Sequence, residues 1–342
     1  MEQFFEKPSK QNPKYNCIIV TSSSVKYDIS SVFLQLELNR KKDQIAQCVR
    51  LKCINVAYNN THLNSLIKVR DRIYIYAHDG EISDEVFRGF IWNIRYNSRT
   101  EKELTLTCYD NLIYFQESED NRYFTSGKSS ETICQILCDS WNVPLEYTYQ
   151  SITHDVMPLK GALSDIFLSQ ILEKVRKQTG KRYVMYSEKD IVKISPAGEN
   201  EKIYQIQRNE NAISTESQVT MDGIITKIVI LGKTDDNGQN HIEATVCGDI
   251  KSYGTLQKIK NKEEKTELEN IQKEAKETIK EKGTPSRSYE VVAIDIPWLK
   301  LGDKIRVVAG DMFGIFLITG ISHNISNSEK IMTLTLEDWL EA

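Results

Sequence analysis

No run of apolar residues in the chain approaches the roughly 20 needed to span a bilayer, which excludes a membrane-spanning helix. The first residues, Met1-Glu2-Gln3-Phe4-Phe5-Glu6-Lys7-Pro8, lack a basic stretch followed by an apolar one, so no secretory signal is expected. No CxxC pair occurs among the seven cysteines, at 17, 48, 53, 108, 134, 138 and 247. None of the five histidines lies near a cysteine pair, so zinc-ligand spacing is missing as well. Charge of one sign is also missing. The 44 Lys and Arg stand against 48 Asp and Glu, a net −4, without the concentrated basic face that general nucleic-acid binding needs. These absences predict a soluble protein made in the cytoplasm, with reduced and mostly buried thiols. Its 342 residues suffice for two or three domains at about 100–200 residues each.

Enzyme signatures are equally scarce. Neither GxSxG nor HExxH occurs, and the histidines at 62, 78, 154 and 323 look isolated. Gly127-Lys128-Ser129 resembles the end of a phosphate-binding loop, but Arg122 stands where the first glycine belongs, so Ser129 reads better as a helix cap. Asp235-Asp236-Asn237-Gly238 partly matches a calcium loop. Lys233 and Ala244 occupy the places of its first acid and its bidentate Glu, and a hairpin turn is expected instead. No pair of acids stands out as acid and nucleophile, although the number of acids leaves a glycosidase-type pair open. The expectation is no catalytic residue, no cofactor and no metal.

What is present is mainly β pattern, in three stretches. Residues 15–20, 31–39, 44–56, 72–77, 85–97 and 103–109 are rich in Ile, Val, Tyr and Thr. Leu104, Leu106 and Cys108 alternate with Thr105, Thr107 and Tyr109, as in a half-buried strand. Turn chemistry at 78–80 and 97–100 joins them, which predicts a closed or nearly closed antiparallel barrel over 1–115. Residues 116–208 read as a small α+β domain. A helix capped by Ser129 runs to about Trp141, a second spans 164–179 with Gly180 at its C-cap, and strands follow at 182–186 and 191–195. Residues 209–342 return to strands, at 222–231, 241–247, 289–296, 304–308, 314–325 and 331–336, as a second barrel.

Inserted at 256–282 is a charged helix. Eight Lys and seven Glu lie between Lys258 and Lys282, with Leu268, Ile271, Ala275 and Ile279 forming one narrow apolar seam. That seam either covers the chain's own barrel or docks on a neighbouring subunit. Subunit contacts favour buried aromatics, so Trp92, Trp298 and Trp339 are candidates beside the seam residues Leu268, Ile271 and Ile279. Trp298 ranks first because Ile296-Pro297-Trp298-Leu299 looks loop-like. A polymer-binding wall would need exposed aromatics among basic residues. By strand parity Arg88, Trp92 and Tyr96 share a face while Arg95 points away.

The order of segments resembles the baseplate hub proteins of contractile phage tails and phage-tail-like bacteriocins, most of all the hubs of defective PBSX-type prophages. Five passages carry the resemblance: 108–115 (CYDNLIYF), 222–230 (DGIITKIVI), 251–257 (KSYGTLQ) with the charged helix after it, 301–307 (LGDKIRV), and 318–324 leading to His323. The resemblance implies a homotrimer in which each chain supplies two barrels. The resulting pseudo-six-fold ring adapts the six-fold tail tube to the three-fold central spike. It further implies a tube or tube-initiator protein, the spike and other baseplate proteins as partners, assembly into a phage or phage-tail-like particle, and a lumen lined by acidic or neutral residues. The alternatives are a nucleic-acid- or carbohydrate-binding β-barrel module, or a wall-degrading tail enzyme.

Overall fold

The computed structural model describes residues 5–8, 12–41, 44–97, 102–234, 240–262 and 267–339. The expected turns at 98–100 and at Asp235–Gly238 lie outside the described residues. The chain divides into two compact units, one made of Met1–Glu216 with Glu290–Ala342 and the other of Ser217–Tyr289. The boundaries therefore differ from those expected at 115/116 and 208/209.

In the first unit the strands are β1 (Phe5–Glu6), β2 (Lys14–Val20), β3 (Lys26–Asp28), β4 (Phe33–Lys41), β5 (Gln44–Ile54), β6 (Arg72–His78), β7 (Ser83–Tyr96) and β8 (Glu103–Tyr109). Next come β9 (Glu119–Phe124), β10 (Leu145–Tyr147), β11 (Met157–Ala162), β12 (Tyr183–Glu188), β13 (Ile191–Pro196) and β14 (Ile203–Gln207). Alternation is strict over 103–109, as the sequence predicts. Leu104, Leu106 and Cys108 are fully buried against Ile73, Ile75, Leu51 and Val49, forming the core of the first sheet.

The first and last strand-rich stretches do not close into two separate barrels. They share one open sheet. Its path, once β20 (Lys304–Ala309) and β21 (Met312–Ser326) are included, runs β1-β14-β20-β21-β4-β5-β8-β7-β6-β2-β3. The join is the antiparallel pairing of β4 with β21, where Leu36, Leu38 and Arg40 lie opposite Ile325, His323 and Ile321. A local pattern identifies strands but not the partner a strand finds far along the chain.

The α+β segment forms where expected, with one addition. Helix α1 (Ser130–Ser140) starts at Ser129, whose Oγ accepts the Thr132 N–H at 3.1 Å. Helix α2 covers 163–179 and contains a π-helical stretch, Ile166–Leu172, before Gly180 caps it at φ 74°. The wider turn suits five apolar residues crowded at 166, 167, 168, 171 and 172. Phe115 and Phe167 stack at 5.3 Å in a core with Ile133, Leu137, Val192 and Ile194. That core also takes in Ile45 and Ala46 of β5, so it continues the first sheet rather than standing apart.

The remaining strands are β15 (Ala212–Thr220), β16 (Lys227–Thr234), β17 (Asn240–Cys247), β18 (Gln257–Asn261), β19 (Ser286–Ile294) and β22 (Lys330–Asp338). β15 pairs with β19, and β19 with β22, which also pairs with β21. In the second unit β16 lies between β17, antiparallel, and β18, parallel. The charged helix, α3, begins only at Leu268 and ends at Lys282. Residues 257–261, expected as its first turns, are strand β18 instead: Lys258, Ile259 and Lys260 alternate across the sheet. The helix is thus part of a small α/β unit with its own sheet rather than a lone insertion in a barrel.

Candidate functional site

A cleft of about 710 Å³ opens in the first unit. Its walls come from the β6–β7 turn, the β12–β13 hairpin and the loop 297–303. At its floor the end of β4 delivers Arg40, and the exit from β8 delivers Asp110. Arg40 Nη2 donates to Gln47 Oε1 at 2.8 Å and to the Ser187 carbonyl at 3.4 Å. It lies 3.7 Å from Asp110 Oδ2, with the guanidinium over the Tyr186 ring at 5.6 Å. Asp110 also accepts the N–H groups of Gln47 and Leu112, each at 3.1 Å. One buried pair thus ties β4, the exit to the α+β segment and that segment's hairpin together. Burial pushes the Asp110 carboxyl up to about 7 against the pull of Arg40 and both amides. The same cause holds Asp303 at about 6. Arg40 Nε is buried without a hydrogen-bond partner.

Two further contacts line the cleft. His323 Nδ1 and Asp295 Oδ1 are 2.7 Å apart, and the Tyr15 hydroxyl donates to Asp295 Oδ2. Tyr15, Asp295 and His323 are all buried, and burial followed by the Asp295 charge raises the Tyr15 phenol. Trp298 Nε1 donates to Asp79 Oδ2 at 2.7 Å, and its ring packs on the first core. His154, which looked isolated, sits 2.7 Å from Ser130 Oγ. This pair resembles a nucleophile and base, but both residues are buried and neither lines the cleft.

The seam residues lie elsewhere, in the second unit. Ile271 and Ala275 are buried against Ile228 and Ile230, with Leu268 and Ile279 packed beside them, so the seam faces its own sheet. On the outer wall of the first sheet, Thr107 pairs with Asn93 but Cys108 with Ile91, leaving Trp92 as an extra residue. This bulge reverses the expected parity. Arg95, opposite Thr105, now shares the outer face with Trp92, while Tyr96, opposite Leu104, turns to the other. Trp92, 43% exposed, meets Tyr109 and Tyr114 edge-on at 6.1 Å each. Trp339 covers Gly198, where a Cβ would approach its ring to 2.5 Å, and Lys304 lies over it at 5.2 Å.

The sheet that joins both strand-rich stretches, with the α+β segment between them in the chain, has counterparts among solved structures. The structure matches the 43 kDa tail protein of prophage MuSo2 from Shewanella oneidensis with a TM-score of 0.68, at 13% identity, over 95% of this chain and 98% of that one. Residues 35–337 match the YQBQ-like family model, and the chain belongs to that family. Two curated relatives from Bacillus subtilis (strain 168) are similar. YqbQ, an uncharacterized protein, is 24% identical over 73% of this chain and 77% of its own length. The phage-like element PBSX protein XkdQ is 25% identical over 64% of this chain and 66% of its own.

Proposed function

We propose that the chain is the structural hub of a contractile tail baseplate, without enzymatic activity of its own. It would act as a homotrimer whose pseudo-six-fold ring adapts the tail tube to the central spike. The observation that carries this reading is the likeness to a prophage tail protein over nearly the full length of both chains, joined to the similarity to the PBSX protein. The two strand-rich stretches, 1–115 and the outer parts of 209–342, would supply the two halves of each subunit's share of the ring through the one open sheet they form. A sheet that already joins both halves through β4 and β21 suits a ring, because neighbouring halves are then held at one fixed angle. Light scattering tests the reading. The protein alone should give about three times the 39.4 kDa chain mass, or, where it trimerises only on its spike protein, the mixture should give that mass plus the mass of the bound spike. A monomer that ignores the spike removes it. Trp298 is the first aromatic to test as a contact, by Trp298→Ala with the fold checked by circular dichroism; a trimer that survives in a folded variant removes Trp298 from the interface.

Polymer binding on the outer wall has one observation in its favour: the bulge sets Trp92 and Arg95 on one face. Titration with single-stranded DNA and with oligosaccharides, read by Trp fluorescence, decides it. No change at 0.1 M salt ends that reading.

A further inference from the structure

The turn of the β12–β13 hairpin holds more charge contacts than a surface turn needs. Lys189 and Asp190 both adopt left-handed backbone, at φ 51° and 68°, although neither is glycine. They are the two central residues of a two-residue hairpin turn closed by the Glu188–Ile191 pair, which requires this backbone at both, and contacts around the turn hold it in place. Here those contacts are specific. Asp190 pairs with Arg72 and lies 3.4 Å from Arg88, which is itself bidentate to Glu85 at 2.9 Å. Lys189 Nζ reaches Asp84 at 3.0 Å, and the Asp190 carbonyl accepts from Asn111 Nδ2 at 2.7 Å. On the other side Glu188 pairs with Lys300 of the 297–303 loop and with Lys193 at 2.9 Å. These pairs hold Glu188 down at about 2 against its own burial.

Three consecutive residues thus tie the hairpin tip to both banks of the cleft, and the Arg40–Asp110 pair lies beneath. The ties are charges at partly exposed positions, with side chains 25–56% accessible, so each is weak alone and screened by salt. The rest of the hairpin is held differently. Met185, Val192 and Ile194 are buried in the α+β core. We infer that residues 187–191 form an electrostatic strap, which holds one wall across the mouth of the cleft and can peel away while the hairpin base stays packed. Opening would uncover the cleft floor, where Arg40 Nε has no hydrogen-bond partner. The strap is a movable element within a subunit, and it does not depend on the hub reading.

Hydrogen exchange by mass spectrometry on the full chain tests this. Asp190→Asn should speed exchange across 187–191 at least tenfold, with α1 and the β5–β8 strands unchanged. Raising NaCl from 0.05 to 1 M should speed the same amides in the wild type and have little further effect in Asp190→Asn. The charge swap Asp84→Lys with Lys189→Asp should restore protection that Lys189→Asp alone loses. Strap exchange that ignores both substitution and salt overturns the inference. So does exchange that rises throughout the first unit, because the turn would then be ordinary packing. If Asp190→Asn does not fold, the charge swap and the salt series decide alone.

Discussion

The two compact units reach stability by different routes. In the first, large apolar side chains such as Phe115, Phe167, Leu51 and Ile73 are sealed in continuous cores. In the second, among the described residues, the buried cluster under a helix made largely of Lys and Glu is Ile225, Ile228, Ile230, Ile271 and Ala275. Area removed from water sets the hydrophobic contribution, so the first unit has a reserve that the second lacks. The lesson is that the charged helix contributes little by its charges. It is held by four seam residues.

That contrast can be broken most directly in the cores. Phe115→Ala should lower the stability of the first unit by about 3–5 kcal/mol, read by urea unfolding. Ile271→Ala should cost about 2–4 kcal/mol in the second unit, with protease cleavage confined to 217–289; cleavage in the first unit instead would show that the two do not unfold separately. Trp298→Phe keeps the ring but leaves Asp79 without the indole donor, at about 1–2 kcal/mol by thermal unfolding.

pH sharpens the comparison. Asp110 and Asp303 have folded values of about 7 and 6, above the roughly 3.9 of an unfolded aspartate, so the folded state binds more protons in between. Their cost is full above pH 7 and disappears as pH falls towards 4. The first unit should therefore melt higher at pH 5 than at pH 8, and Asp110→Asn should flatten the difference. Glu188 has the opposite sign: its stabilisation is complete above about pH 4.3 and lost as pH falls towards 2. The smallest effect belongs to the second unit's ion pairs, Lys260–Glu274 and Lys262–Glu243. One molar salt should change its stability by less than about 1 kcal/mol.

Local signals in the sequence were readable where local physics decides. Ser129 caps its helix, Gly180 ends the next, and Leu104, Leu106 and Cys108 face inward. The cleft was not readable. Arg40 meets Asp110, Tyr15 meets Asp295, and Trp298 meets Asp79 across long sequence separations that no short pattern encodes. The Trp92 bulge shows a subtler limit. One extra residue reversed the facing of Arg95 and Tyr96, because parity counts only while the pleat is regular. The sequence reads β18 as the start of the helix because Gln257-Lys258-Ile259-Lys260-Asn261 fits either period over five residues.

The pairing of β4 with β21 also has a consequence for synthesis. A ribosome delivers β4 long before β21, so a chain that stops between them carries the edge of β4 not paired with β5 open to any passing strand. Non-local pairing of this kind is slow to form. A product that stops before β21 would be prone to aggregate rather than enter an assembly, because β21 covers that edge.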